Sequence, residues 1–444
     1  MRHNFPKCTR ASSVHLFVEG EEYYNYYIHL IDRATKSIHL QTYIFEMDDF
    51  GSRVHAALIR AAQRGVQVCV LIDNIGSRNF NAIDEAALRH NSVFFERFNG
   101  FSYKRIFQIG RRLHHKLLLV DAQHALVGGI NVTNSDYKHE QHPNHQLDFA
   151  VEMQGPVVLE LALYGQSIFK KAYPKKIKLV KIPLVILDAS SSEIVVKISI
   201  NDWIYRRWQI ARTYTKLIKE AKNEITIVNA YFFPRHKFKK QLVEAAQRGV
   251  KVRLILPQIS DWPSYILASE YLYTYFLEHQ VEIYQWKKSV LHGKMATVDG
   301  HFATIGSFNL NYTSYQQNLE MNIDVMSTKI TQQWDNILKR IIETGCEKVD
   351  LEKFSRNSTL RIRFLRFFFY IILSIVANMS VTLTYQEDNN QNKFYNFLRL
   401  CGAAVFFLLG VIGAILPIMP GTPFFIISFF LVYRQILFNK KIRT

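Results

Sequence analysis

Two short stretches of the 444-residue chain carry the same reactive side chains at the same spacing. His114, Lys116, Asp121, Gly128, Gly129 and Asn131 recur as His292, Lys294, Asp299, Gly306, Ser307 and Asn309, so both stretches obey H-x-K-x4-D-x6-G-[GS]-x-N. Each fixed position costs roughly twentyfold against chance, and two coincident copies make a strong signal. A histidine and a lysine two apart at the head of an apolar run share one face of a strand and can offer an imidazole and an ammonium to one phosphate. The turn that follows, Gly-[Gly/Ser]-x-Asn, lets backbone approach closely and adds an amide donor. Asp121 and Asp299 have the opposite strand parity from their lysines, which points to fixing backbone rather than touching substrate.

One such stretch is half a reaction centre. Two facing each other place two His, two Lys and two Asn around one phosphodiester. One imidazole attacks phosphorus while the other protonates the departing alcohol, then deprotonates an incoming one. The lysines and asparagines stabilise charge on the non-bridging oxygens, so this chemistry asks for no metal and no cofactor. Downstream acids Asp148 and Glu320 are candidates to hydrogen-bond the histidines and fix their tautomer.

The elements that must position these groups are also duplicated. Ala61-Ala62-Gln63-Arg64-Gly65-Val66 recurs letter for letter as Ala245-Ala246-Gln247-Arg248-Gly249-Val250. Amphipathic helical runs (Val54–Arg64, Lys240–Arg248) precede and apolar strands (Val66–Asp73, Val250–Pro257) follow, with Gly65 and Gly249 at expected helix C-caps. Similar strands lie upstream, Ser37–Phe45 and Glu224–Phe232. Strand–helix–strand units half a chain apart predict two α/β domains of one fold, joined near Lys175–Leu187 and the serines beyond it. The expected division is residues 1–188, 189–350 and a tail at 351–444.

The duplicated motif resembles the HKD signature of the phospholipase D superfamily. Within that superfamily residues 12–350 are similar to the bacterial cardiolipin synthases of the B type. The likeness extends to Glu19–Tyr24, Asp48–Gly51, Asn229–Pro234 and the stretch from Leu291 to Glu320. The resemblance implies two α/β sandwich domains related by a pseudo-twofold and a phosphohistidine intermediate. It also implies phosphatidyl transfer between two phosphatidylglycerols, giving cardiolipin and glycerol. By it His114, Lys116, Asp121, His292, Lys294 and Asp299 are catalytic candidates, Asn131, Asn309 and Ser307 bind substrate, and Asp148 and Glu320 orient. His114 is implied as nucleophile and His292 as acid/base, although the near-symmetry of the motifs leaves that assignment open. Gly129 stands where the second copy has Ser307, so a hydroxyl contact is expected in one half only.

The chain carries 55 Lys+Arg against 37 Asp+Glu, a net +18, which calls for a polyanionic partner. Four scattered cysteines exclude a disulfide-stapled module and a zinc ribbon. Residues 351–444 hold 14 of 32 phenylalanines but only the acids Glu352, Glu387 and Asp388. Phe367–Gln386 and Leu400–Tyr433 carry no charge, and Pro417, Pro420 and Pro423 break the second stretch into a hairpin. The expectation is a helical membrane anchor in a bacterial inner membrane, with two crossings and the catalytic domains on the cytoplasmic side. Arg361, Arg363, Arg366, Lys440, Lys441 and Arg443 flank the apolar segments in the sense of the positive-inside rule. Leu409–Phe424 also resembles a family of small inner-membrane proteins of unassigned function. The N-terminus shows no apolar leader.

His139, His142 and His145 invite a metal reading, but beside Pro143 and Asn144 they read as a polar loop. Arg105, Arg111 and Arg112 are either a solvated basic loop or a landing site for an anionic headgroup. Tyr271, Tyr273, Tyr275 and Phe276 read as helix packing, with the lining of an acyl-chain groove as the alternative for some of them. Three functions compete: a transphosphatidylase, a phosphodiesterase of the same superfamily using water, and an idle adaptor that kept the fold. Intact His, Lys and Asn in both motifs argue against the adaptor. The apolar tail and the lack of a base-stacking platform argue against nucleic acid. The partners expected are phosphatidylglycerol, other anionic phospholipids and the membrane.

Overall fold

The computed structural model of the chain describes residues 8–99, 111–134, 146–182, 194–202, 204–205 and 207–385, with 402, 403 and 428. Two compact units result, Met1–Tyr370 and Ile371–Thr444. The first unit opens with β1 (Thr9–Ala11), β2 (Ser13–Val18), α1 (Glu21–Arg33), β3 (Ser37–Thr42), α2 (Asp49–Gln63) and β4 (Gln67–Asp73). It continues through α3 (Ala82–His90), β5 (Phe94–Phe98), β6 (Arg112–Leu113), β7 (Lys116–Val120), β8 (His124–Gly128), β9 (Phe149–Gln154) and α4 (Pro156–Ala172).

The second round runs β10 (Ile194–Asp202), β11 (Arg207–Trp208), α5 (Gln209–Glu220), β12 (Glu224–Asn229), α6 (His236–Gln247) and β13 (Lys251–Pro257). Then come α7 (Pro263–Glu270), α8 (Tyr273–Glu278), β14 (Glu282–Trp286), β15 (Lys294–Val298), β16 (Phe302–Gly306), α9 (Tyr312–Gln316) and β17 (Asn318–Met326). The series closes with α10 (Thr328–Gly345), β18 (Cys346–Lys348), α11 (Leu351–Arg356) and α12 (Leu360–Tyr385).

The strands build two sheets of one plan. The first is ordered β2-β9-β8-β7-β3-β4-β5, and the second contains β10-β17-β16-β15-β12-β13-β14 in the equivalent places. In each, three strands run parallel (β3, β4, β5; β12, β13, β14) and the motif strands β7 and β15 join them antiparallel. Strands β3 and β7 are buried along their whole length, as strands covered on both faces must be. Period two then sorts side chains: Leu118 and Val120 of β7 pack under α1 and α2, whereas Leu117 and Leu119 enter a core shared with the second sheet. Met295, Ile305, Met321 and Ile323 supply the other side of that shared core, with α4 and α10 packed against it.

The repeated hexapeptide forms the expected helix ends. Gly65 and Gly249 have φ of 87° and 90°, where any other residue would be strained. Val66 and Val250 then donate back to Ala61 and Ala245 at 3.1 Å, which turns each helix into its parallel strand. Asp48 caps α2 through Gly51 N–H at 2.8 Å, and Asn81 caps α3.

Two features cross between the halves. Strand β1 pairs with β10 of the second sheet, and β6 runs parallel to β17 through Arg112–Asn318 and Leu113–Leu319. Arg111 is buried, pairs with Asp202 at 2.6 Å and lies over the Phe98 ring. It is therefore a bridge between the halves, neither a solvated loop residue nor a headgroup landing site; Arg105 lies outside the described residues. The junction segment is anchored at its start, where Val180 and Lys178 bond the Gln67 side chain. Tyr273 and Phe276 pack inside as expected, while Tyr271 and Tyr275 stay partly exposed, and Tyr271 stacks on Tyr370 at 4.4 Å.

Among the described residues no helix is long and apolar enough to cross a membrane. The first uncharged stretch of the tail is helical through Tyr385, and the second lies almost wholly outside the described residues, as do His139, His142 and His145.

Candidate active site

The chain enters each motif by bonding to the other half. The backbone amides of His114 and His115 both donate to the Leu319 carbonyl, at 3.0 Å each. Those of His292 and Gly293 donate to the Leu147 carbonyl, at 2.9 and 2.8 Å. The residue after each of these carbonyls is a carboxylate. Glu320 Oε2 lies 2.8 Å from His114 Nδ1, and Asp148 Oδ2 lies 2.6 Å from His292 Nδ1. The histidine of each half is thus oriented by the acid of the other. Both carboxylates are fully buried, while the imidazoles keep a small exposed edge, 12% and 13%.

This geometry fixes the tautomer. Nδ1–H donates to the carboxylate, leaving Nε2 as the free base on each ring. Lys294 Nζ also lies 2.9 Å from His292 Nδ1, but one ring nitrogen cannot serve both neighbours. The nearer carboxylate takes the Nδ1 proton, and Lys294 donates to the His292 carbonyl. Lys116 makes the matching bond to the His114 carbonyl at 2.7 Å.

Burial dominates the ionisation of the site. It pulls His114 down to about 4, with Lys116 and Lys294 adding to the effect and Glu320 opposing it, so this imidazole is neutral at pH 7. His292 is also lowered, by burial and Lys294 against Asp148 and Asp261. Lys116 falls to about 7, through burial and its neighbour Lys294. Burial would raise Glu320, yet His114, Lys116 and Ser307 hold it near 2, so it is an ionised acceptor. Lys294 acts on both His114 and Lys116, so the two motifs share one electrostatic field.

The one substitution between the motifs follows from the length of the acids. A Cβ on Gly129 would stand 2.2 Å from Asp148 Oδ1, so the shorter acid needs glycine there. In the second half Ser307 fills that position and donates its hydroxyl to Glu320, which also accepts from Asn318 at 3.0 Å. The hydroxyl contact exists in one half only. Asn131 and Asn309 are buried beside the motifs; Asn131 accepts from Ile44 N–H at 3.2 Å, and Asn309 Oδ1 finds no donor among the described residues.

Asp121 and Asp299 are not brought to the histidines. They follow the far ends of β7 and β15, about 16 Å of strand away, with φ of 54° and 52°. Asp121 accepts the amides of Thr35, Lys36 and Ser37, each at 2.8 Å, and Asp299 those of Lys222, Asn223 and Glu224 at 2.8–2.9 Å. Each carboxylate staples the loop that leads into the neighbouring parallel strand. Three neighbours are absent from the sequence expectations. Tyr43 lies 4.9 Å from the His114 ring, Tyr231 lies 6.0 Å from that of His292, and Asp261 accepts the Tyr231 hydroxyl. The tyrosines follow equivalent strands but one residue out of step, so the repeat does not align them.

A family model described as cardiolipin synthase, PLD-like domain, matches residues 27–170 and 214–342. The chain belongs to this phospholipase D-like cardiolipin synthase family. Cardiolipin synthase B of Escherichia coli is 32% identical over 356 residues, covering 78% of this chain and 84% of that one. A cardiolipin synthase of Clostridium perfringens is 26% identical, covering 79% and 75%. In structure, this family member is similar to the phosphatidylserine synthase of Haemophilus influenzae, with TM-score 0.62, 14% identity and coverage of 85% and 97%. At that identity the likeness concerns the fold.

Proposed function

We propose that the chain transfers a phosphatidyl group from one phosphatidylglycerol to another, giving cardiolipin and glycerol through a phosphohistidine. The observation that carries this is the crossed pair of histidines, each with Nδ1 held by a buried carboxylate of the other half and Nε2 free. One Nε2 forms a bond to phosphorus as the bond to glycerol breaks, while the other ring, entering the step as an imidazolium with a second proton on Nε2, gives that proton to the departing oxygen. The incoming alcohol then returns a proton to that imidazole as its oxygen displaces the phosphohistidine. Lys116 and Lys294, folded back onto carbonyls, can swing their ammonium groups to the non-bridging oxygens. Asn131, Asn309 and Ser307 line the turns beside them. Hydrolysis to phosphatidic acid uses the same intermediate with water as acceptor.

The proposal divides the catalytic portion at about residue 188, one motif to each side, with a tail from 351. It places the tail on a bacterial inner membrane and the catalytic portion on its cytoplasmic side. Supporting this, Leu360, Phe364 and Phe367 form an exposed i, i+4, i+7 stripe at the start of α12, with Arg361 and Arg363 beside it. Such a basic amphipathic face suits an anionic lipid surface.

The test supplies detergent-solubilised protein with phosphatidylglycerol and follows lipids by mass spectrometry. Cardiolipin with equimolar glycerol is expected; phosphatidic acid as the sole lipid product would assign the hydrolase instead.

A further inference from the structure

The two halves differ in what stands behind each histidine. Behind His114, Tyr43 is followed by a carboxylate already committed to backbone. Asp73 is buried at the end of β4 and accepts the amides of Ile75, Gly76 and Leu113 at 2.8–2.9 Å. Behind His292, Tyr231 stands edge-on to the imidazole at 83° and donates its hydroxyl to Asp261, 2.7 and 2.6 Å from the two carboxylate oxygens. Asp261 lies in the loop between β13 and α7, exposed, with Ser260 as a second donor at 3.0 Å. Tyr231 also packs on Tyr265 of α7 at 5.3 Å, so the pair is braced.

The groups facing each ring can be compared. His292 meets Lys294 of β15, Asp148 ahead of β9, and Tyr231 and Asp261 beyond β12 and β13: one cation and two carboxylates. His114 meets Lys116, Lys294 and Glu320: two cations and one carboxylate, with Lys116 Nζ 5.5 Å above the Tyr43 ring. Lys294 also lowers Lys116, and Glu320 in turn supports the charge of Lys294. An imidazolium is therefore better supported at position 292 than at 114.

We propose that Tyr231 and Asp261 are a positioning pair that makes His292 the proton-carrying histidine and leaves His114 the nucleophile. The inference rests on the two-histidine reading given above. In the first step the His114 Nε2 lone pair forms the N–P bond, the P–O bond to glycerol breaks, and the His292 proton passes to the leaving oxygen. In the second step the acceptor hydroxyl gives its proton to His292, its oxygen bonds to phosphorus, and the P–N electron pair returns to His114. The pair touches neither reacting atom. It acts through the ring it supports.

The experiment uses the full chain in detergent and compares two leaving groups. Glycerol leaving phosphatidylglycerol needs a proton, whereas p-nitrophenolate leaving bis(p-nitrophenyl) phosphate does not. Asp261→Asn is expected to slow single-turnover glycerol release about tenfold, the equivalent of one unit of proton affinity. The first-turnover burst of p-nitrophenolate should fall far less. The alkaline limb of the glycerol-release profile should move to lower pH, because losing a carboxylate makes His292 shed its proton sooner. Tyr231→Phe should show the same pattern more weakly, and Asp261→Glu should restore it. Equal slowing on both substrates, or an unmoved alkaline limb, would overturn the proposal and leave the pair as packing. Glycerol is released in the first step whichever acceptor follows, so a protein that made only phosphatidic acid would refute the synthase reading without touching this test.

Discussion

Replacing Glu320 with glutamine removes one charge from the buried site while keeping its shape. Glu320 accepts from His114 at 2.8 Å, from the Ser307 hydroxyl and from Asn318, and it is ionised at any working pH. A hydrogen bond to a charged acceptor contributes about 1.5–3 kcal/mol. That share is present in the resting enzyme. In the proposed first step His114 bonds to phosphorus and its ring becomes cationic, and a carboxylate whose charge centre lies ~4 Å away stabilises it by about 4 kcal/mol at an effective dielectric of ~20. An amide supplies only a fraction of this and can also hold the wrong tautomer by donating to Nδ1. Turnover should therefore fall roughly a thousandfold, at about 1.4 kcal/mol per factor of ten, with little change in KM. Quenched-flow trapping with labelled phosphatidylglycerol reads the step directly. Glu320→Gln should prevent the phosphohistidine from building up, whereas Asp148→Asn, which acts on His292, should impair both proton transfers. A loss below tenfold, or normal accumulation of phosphoenzyme in Glu320→Gln, would refute the crossed assignment of acids to histidines.

Three further outcomes follow from the same geometry. Gly129→Ala should displace the Asp148 carboxylate and cut turnover at least a hundredfold in steady-state assays, since the new Cβ would stand 2.2 Å from Oδ1; Ser307→Ala, losing one hydrogen bond worth about 1 kcal/mol, should cost no more than tenfold. Asp121→Asn and Asp299→Asn should each lower the unfolding free energy measured in urea by about 1–3 kcal/mol, while the folded fraction keeps its turnover. Both acids are held below their ordinary value in the folded state by backbone amides that outweigh burial, so the stability they contribute is present above about pH 4 and is lost as pH falls further. His39 is buried with neither ring nitrogen hydrogen-bonded among the described residues, and burial lowers it to about 4. Its unfolded form takes up a proton first, so it should contribute about 2 kcal/mol to the stability lost between pH 7 and pH 5, and urea unfolding of His39→Leu should show a loss smaller by that share, the buried active-site histidines supplying the rest.

Strand parity suffices to place Asp121 and Asp299 away from the phosphate, because period two is a local property of β7 and β15. The helix ends at Gly65 and Gly249 are legible for the same reason: a positive φ is demanded within one turn. Asp148 and Glu320 are visible as orienting acids, but not the histidine each serves. That depends on β6 lying beside β17 and on Leu147 lying beside Leu291, contacts between segments some 150–200 residues apart. The three residues of β1 carry too little pattern to show which sheet they join. Arg111 reads as a basic loop residue because its partner Asp202 lies 91 residues further along the chain. Tyr231 and Asp261 escape notice because the first half has no matching pair, and a search by repetition finds only what is repeated.

Each half of this chain, taken singly, would present a histidine with no acid behind it. A half-length protein of this plan could act only as a pair of identical copies, each lending its acid to the other. In such a pair every change would appear on both sides of the site at once. Joining the copies in one chain lifts that constraint. Asp148 with Gly129 on one side and Glu320 with Ser307 on the other, His115 against Gly293, and Asp73 bonded to backbone against Asp261 bonded to the Tyr231 hydroxyl are differences that a pair of identical copies cannot hold. On the mechanism proposed above, the fusion lets two otherwise equivalent imidazoles divide into one that attacks and one that carries the proton, and so gives the reaction a direction across the site.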